Sequence, residues 1–255
     1  RHDTNLNSKS NLLRMTRKRA AFTLAEVLIT LGIIGIVAAV TIPTLVKNYE
    51  KRVTVTKLKK VYSTLNQIML KSFADNGPAT QYLSAGAVVD AETTNNFFNT
   101  YWLPYFRSPH VADYGTTFYK RSGAYHLLNG VSNDVFIGTS DGRILFKDAS
   151  GNIFLIRVDY WDQTYDSLGN SISAIARYNT TQLIWVDLNG EREPNTFGKD
   201  LFAFVADFSA NNVVPSGYGL SDTKINNNCK KDGRGHYCAA KIMKDGWKIK
   251  DDYPW

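Results

Sequence analysis

Residues 22–46, FTLAEVLITLGIIGIVAAVTIPTLV, form an apolar run of 25 residues with one ionisable group, Glu26. As a helix this run is about 37 Å long, enough to cross the ~30 Å hydrocarbon core of a bilayer. Apolar positions then recur at steps of three and four, at Leu58, Val61, Tyr62, Leu65, Ile68 and Met69. That spacing continues the helix with one buried stripe, while Lys51, Lys57, Lys59, Lys60 and Lys71 occupy its other faces as a solvated surface or as contacts to neighbouring subunits or lipid headgroups. Pro43 removes a backbone donor and is expected to bend the helix, and Asn76-Gly77-Pro78 stops it. Residues 79–115 lack clear periodicity; their aromatic stretch, Tyr101-Trp102-Leu103-Pro104-Tyr105-Phe106 and the preceding Phe97-Phe98, reads as core with room for a short helix. From Thr116 the pattern turns to strands, at residues 134–139, 143–147, 153–158, 182–188 and 201–207. Asp141-Gly142 and Ser150-Gly151-Asn152 are hairpin signals between the first three. A long helix against an antiparallel meander is an α+β head.

Composition limits the alternatives. The chain has 255 residues, 44% hydrophobic and 13% aromatic, which excludes a wholly disordered protein. Two cysteines exclude a disulfide-dense scaffold and a Cys-rich zinc module. The formal charge of +7 is concentrated at the start: residues 1–21 hold six basic side chains and one acid, whereas residues 22–255 hold 24 basic and 22 acidic. The head therefore lacks the charge excess of a nucleic-acid binder. Arg14, Arg17, Lys18 and Arg19 precede the apolar run, and the bias places the N-terminus on the cytoplasmic side, with all that follows residue 46 exported.

Three other readings of the run compete. A buried core helix would be shorter. A cleaved secretory signal would have an apolar core of about 7–15 residues and a cut near Ala38-Ala39. A plain membrane anchor would carry no acid, because a carboxylate in a membrane helix costs on the order of 3 kcal/mol. Cleavage before Phe22 would supply an amine one helical turn from Glu26, in the same subunit or a neighbour.

Arg17-Lys18-Arg19 followed by Phe22-Thr23-Leu24-Ala25-Glu26, the apolar run and Pro43 resembles the N-terminal segment of type IV pilins and of the pseudopilins of type II secretion systems. The resemblance covers residues 17–46. It implies cleavage between Ala21 and Phe22 by a prepilin peptidase, N-methylation of Phe22, pairing of Glu26 with a neighbour's N-terminal amine, and a kink at Pro43. Ala21 stands where the family usually has Gly. Met15 would open a short leader by itself, with residues 1–14 upstream of it. The implied organisation is a basic leader over residues 1–21, a helix over 22–75 with its transmembrane part at 22–46, and a pilin-like α+β head over 76–255.

Two features of the head are candidate sites. Asp187-Leu188-Asn189-Gly190, then Pro194-Asn195, then Gly198-Lys199-Asp200 concentrates oxygen ligands in one loop. Asp187, Asn189, Asn195 and Asp200 would suit calcium, which takes six to eight oxygens; alternatively they make turns and cap backbone groups. The loop also resembles one found in pilin-like proteins, some of which bind calcium in a comparable region. Cys229 and Cys238, nine residues apart in an exported head, are expected to form a disulfide; a metal site completed by His236 is the alternative. No phosphate-binding glycine loop, nucleophile elbow or paired-histidine zinc motif is present, and the four histidines are scattered, so no enzyme is expected. The leading expectation is a structural fibre subunit of the inner membrane and then of a surface or periplasmic fibre, with prepilin peptidase, like subunits and membrane lipid as partners. The others are a minor or tip pilin that binds DNA, a surface or a secreted substrate, and an anchored ectodomain that never polymerises.

Overall fold

The computed structural model describes residues 22–79, 90–112, 125–133, 142–157, 181–190 and 192–255. The chain divides into two compact units, at Lys47 and Asn48. In the first, the described residues are Phe22, Thr23 and the start of helix α1 (Leu24–Asn76). Its apolar side chains, from Phe22 and Leu24 to Leu45 and Val46, are exposed all round. A helix apolar on every face is suited to lipid or to a bundle of like helices, and this is one helix long and apolar enough to cross a membrane.

In the second unit α1 buries Leu58, Val61, Leu65, Ile68, Met69 and Ser72, the stripe expected from the three- and four-residue spacing. Its lysines are more than a solvated face. Lys57 donates to the Leu188 carbonyl (2.9 Å) and Lys60 to Ser150 Oγ (3.2 Å). Lys59 and Lys71 lie over the rings of Trp247 and Tyr105, at 5.9 and 5.8 Å.

Among the described residues six strands pair in chain order as an antiparallel meander: β1 (His110–Val111), β2 (Arg143–Lys147), β3 (Ile153–Arg157), β4 (Thr181–Asp187), β5 (Leu201–Asp207) and β6 (Asn212–Pro215). Successive side chains of a strand face opposite sides, and both sides are buried. Ile144, Phe146, Phe154, Ile156, Ile184, Val186, Phe202 and Phe204 join the α1 stripe in the main core. Leu145, Leu155, Trp185, Leu201 and Val205 form a second core with Tyr125, Leu127 and Phe197. The architecture is thus a long helix packed on an antiparallel sheet, the α+β, pilin-like arrangement expected.

Four strands fall within a residue of their expected bounds. The expected strand at residues 134–139, Asp141 of its hairpin, and Val158 lie outside the described residues. The short strands β1 and β6 were not read from the pattern, since two and four residues are too few to show alternation. The aromatic stretch contributes the C-terminal half of α2 (Ala91–Tyr101). Asp90 Oδ1 caps it by accepting the Thr93 amide (2.8 Å), and Thr94, Phe97 and Phe98 turn into the core. Trp102 and Phe106 follow into the same core.

Two further helices among the described residues, α3 (Asp222–Asn228) and α4 (Cys238–Lys244), lie toward the C-terminus, where no helix is expected from the sequence pattern. The Cys229–Cys238 disulfide joins the end of α3 to the start of α4. Closing a loop of this length contributes roughly 2.5–3 kcal/mol in the chain-entropy view. The C-terminal tail then closes on the head. Trp247 stacks at a tilt on Tyr62 of α1, with ring centroids 5.2 Å apart. Buried Lys241 holds Asp252 (2.6 Å) and Asn226 Oδ1 (3.1 Å), and buried Tyr253 donates to the Gly198 carbonyl.

Candidate functional site

The start of α1 is built by two residues of the expected motif. Glu26 Oε2 accepts the backbone N–H and the hydroxyl of Thr23, both at 2.8 Å, while the Glu26 N–H reaches Thr23 Oγ1 at 3.2 Å. This reciprocal pattern is a capping box, which satisfies otherwise orphaned donors at a helix start. It gives Glu26 a hydrogen-bonding partner beside the amine that cleavage before Phe22 would supply. The spacing Thr-x-x-Glu is the signal that would have revealed it. The box supplies hydrogen-bond donors to the carboxylate but no positive charge. Phe22 precedes the box and is 86% exposed. Ala21, the other residue of the expected cleavage site, lies outside the described residues with the rest of the leader. Pro43 lies inside α1.

The four oxygen-bearing residues of the β4–β5 loop are brought together. Asp200 Oδ2 accepts the Asn195 N–H (2.8 Å) and Asn189 Nδ2 (3.0 Å), and Asp200 Oδ1 accepts the Thr196 N–H (2.7 Å). Asp187 Oδ1 accepts the Asn189 N–H at 3.0 Å. Burial pushes the Asp200 carboxyl above its ordinary value, and the donated bonds from Thr196, Asn195 and Asn189 oppose that shift. Two buried acceptors remain unused, Asn189 Oδ1 and Asn195 Oδ1. Arg192 Nε donates to the Asn189 carbonyl at 3.3 Å, and Glu191 lies outside the described residues. Among the described residues no three His, Cys, Asp or Glu side chains cluster as metal ligands. Any ion here would rest on amide and backbone oxygens beside the two aspartates.

The loop depends on close backbone approach. Gly190 has φ +69°, and a Cβ there would lie 2.8 Å from the Gly151 carbonyl oxygen. At Gly198, φ +83°, a Cβ would lie 2.8 Å from Cys238 Sγ, so the disulfide lies directly against the loop. His236 packs on the same loop, its ring edge-on to Phe197 with centroids 4.6 Å apart. Its Nε2 is buried without a hydrogen-bond partner. Burial, reinforced by the Arg234 charge, holds its pKa down to about 4 from 6.5. Both cysteines are consumed by the disulfide, which excludes the alternative of a Cys–Cys–His metal site.

Comparison with known proteins gives two family matches. The model of a family of unknown function (DUF6613) matches residues 44–255. The model of the prokaryotic N-terminal methylation motif matches residues 16–42, the type IV pilin-type cleavage and methylation signal. Neither the curated proteins nor the solved structures yield a significant match.

Proposed function

We propose, for a chain that belongs to the family of unknown function DUF6613 and carries an N-terminal methylation motif, the role of a pilin-like fibre subunit. Prepilin peptidase cuts between Ala21 and Phe22 and methylates the new amine. The chain waits in the inner membrane through residues 22–46, with its N-terminus cytoplasmic and its head exported, and then assembles with like subunits into a type IV pilus or a secretion pseudopilus. The observation that carries this reading is the juxtaposition of the motif with a helix exposed and apolar on every face in its first half, yet packed on a sheet in its second. Such a helix needs a second apolar environment, lipid or other helices. Glu26, charged and held by neutral donors, provides an anionic partner for a methylated amine. Nothing in the reading calls for catalysis; the work is packing.

The mature N-terminus tests it. Mass spectrometry of the protein extracted from its native membrane should find a chain that begins with N-methyl-Phe22. An uncut chain would leave only an anchored ectodomain, and a start near residue 40 would mean an ordinary secretory signal.

For the β4–β5 loop we propose a calcium site, on the strength of the two unused oxygens of Asn189 and Asn195 beside Asp187 and Asp200. Millimolar calcium should raise the unfolding temperature of the full chain by several degrees, and Asn189→Ala with Asn195→Ala should abolish that rise. Equal melting with calcium and with chelator would leave the loop as a hydrogen-bonded turn.

A further inference from the structure

Two neighbouring cavities, of about 570 and 370 Å³, open between α1, the β2–β3 turn and the start of the β4–β5 loop, and meet at Ser150. Their linings carry five cations: Lys60 and Arg107 in one, Lys57, Lys147 and Arg192 in the other. The single acid among the described lining residues, Asp148, is engaged by its own turn. Its Oδ1 accepts the N–H groups of Ser150 (2.8 Å) and Asn152 (3.0 Å), and its Oδ2 accepts Asn152 Nδ2 (3.0 Å). Lys57, Lys60 and Arg192 donate to neutral oxygens, of Leu188, Ser150 and Asn189, and among the described residues no acid forms an ion pair with them.

This groove is not matched by the head as a whole. Residues 48–255 hold 23 basic and 21 acidic side chains; outside the groove they hold eighteen basic and twenty acidic. Three exposed acids lie toward the opposite end of the helix–sheet layer, Asp75 at the end of α1, one turn beyond Lys71, and Asp90 and Glu92 at the start of α2. Asp75 is fifteen residues beyond Lys60, about 22 Å along α1. Asn76 Nδ2 ties that end of α1 to Tyr105 Oη (2.8 Å) and to the Thr100 carbonyl of α2 (3.3 Å). Thr94 Oγ1 accepts the Gly142 N–H (2.8 Å), so α2 begins beside the entry to β2, whereas Lys147 is at its exit.

We propose that the basic groove of one head receives the acidic α1–α2 end of a second copy of this chain. This inference rests on the fibre reading above. A contact between two different surfaces of identical subunits propagates as an open filament rather than closing into a dimer, which is what a fibre requires. Complementary charge also sets the register of subunits whose apolar helices could slide along one another.

Charge exchange in the full-length chain, made in its native cells, tests the contact. Lys60→Glu with Arg107→Glu, and separately Asp75→Lys with Glu92→Lys, should each lower fibre yield about tenfold, since about 1.4 kcal/mol per contact is a factor of ten. Combining all four should restore the yield to within a few-fold of the original. An Arg107→Cys copy and a Glu92→Cys copy should also cross-link on oxidation, a readout that does not depend on the reversed variants folding. Normal fibres from both reversals, no cross-link, or no recovery in the combined variant overturns the contact. That includes the case in which groove reversal abolishes only binding to nucleic acid or to anionic vesicles. If the unaltered chain builds no fibre, the fibre reading fails first and this contact with it.

Discussion

Glu26→Gln should abolish fibre assembly as completely as Glu26→Ala, while leaving membrane insertion intact. The two substitutions separate the two things Glu26 can do. Gln retains the reciprocal bonds with Thr23, because a capping box accepts Glu or Gln at this position. Ala keeps the backbone N–H bond to Thr23 Oγ1 but loses the bonds that Thr23 donates to the side chain, at roughly 0.5–1 kcal/mol of helix-end stability. Neither retains the charge. If Glu26 pairs with the methylated amine of a neighbour, charge is what matters. A pairing worth even about 1.4 kcal/mol per subunit is then a factor of ten in each addition step, and the effect multiplies along a fibre. The measurement is the amount of sheared fibre beside the amount of membrane-inserted subunit. Fibres from Glu26→Gln at the original level, with loss only in Glu26→Ala, would assign Glu26 to the helix cap alone.

Acidification should loosen the head through His236. Its imidazole titrates near 4 in the folded chain against 6.5 ordinarily, so the unfolded chain binds the extra proton. The His236 contribution to stability is therefore complete above about pH 6.5 and is lost as pH falls toward 4, on the order of 3 kcal/mol by then. Asp200 acts in the opposite direction. Its raised pKa favours the folded state below its ordinary 3.8, and that contribution is lost as pH rises through the folded value. Thermal unfolding of the full chain in detergent, followed from pH 7 to pH 4, should show a drop in stability that His236→Leu largely removes. Parallel pH profiles for the two proteins would show that His236 is protonated in place without penalty. The region affected is specific: His236 lies on Phe197 of the β4–β5 loop, beside the disulfide.

The sequence by itself determined the elements whose reasons are local. The apolar run over residues 22–46, the stripe from Leu58 to Met69 and the stop at Asn76-Gly77-Pro78 marked α1 to within two residues, because helix periodicity and turn residues act over a few positions. The motif around Phe22 and Glu26 was legible for the same reason, and so was the meander of β2 to β5, marked by apolar runs between glycine turns. The Thr23–Glu26 box is equally local and equally written in the chain, as the spacing Thr-x-x-Glu.

Tertiary structure decided the rest, where the causes lie far apart in sequence. Strands β1 and β6 exist because a neighbouring strand offers them a ladder; two to four residues carry no periodicity of their own. α2 is rich in Thr and Asn, weak helix formers, and holds because Phe97 and Phe98 find the α1–sheet core. Only folding shows that Lys57 reaches Leu188, that Tyr253 reaches Gly198, and that Asp187, Asn189, Asn195 and Asp200 share one network. Only folding separates the basic groove from the acidic end in a head whose net charge gives no sign of either. Charge totals are a property of composition, whereas a patch is a property of position, and position is set by packing.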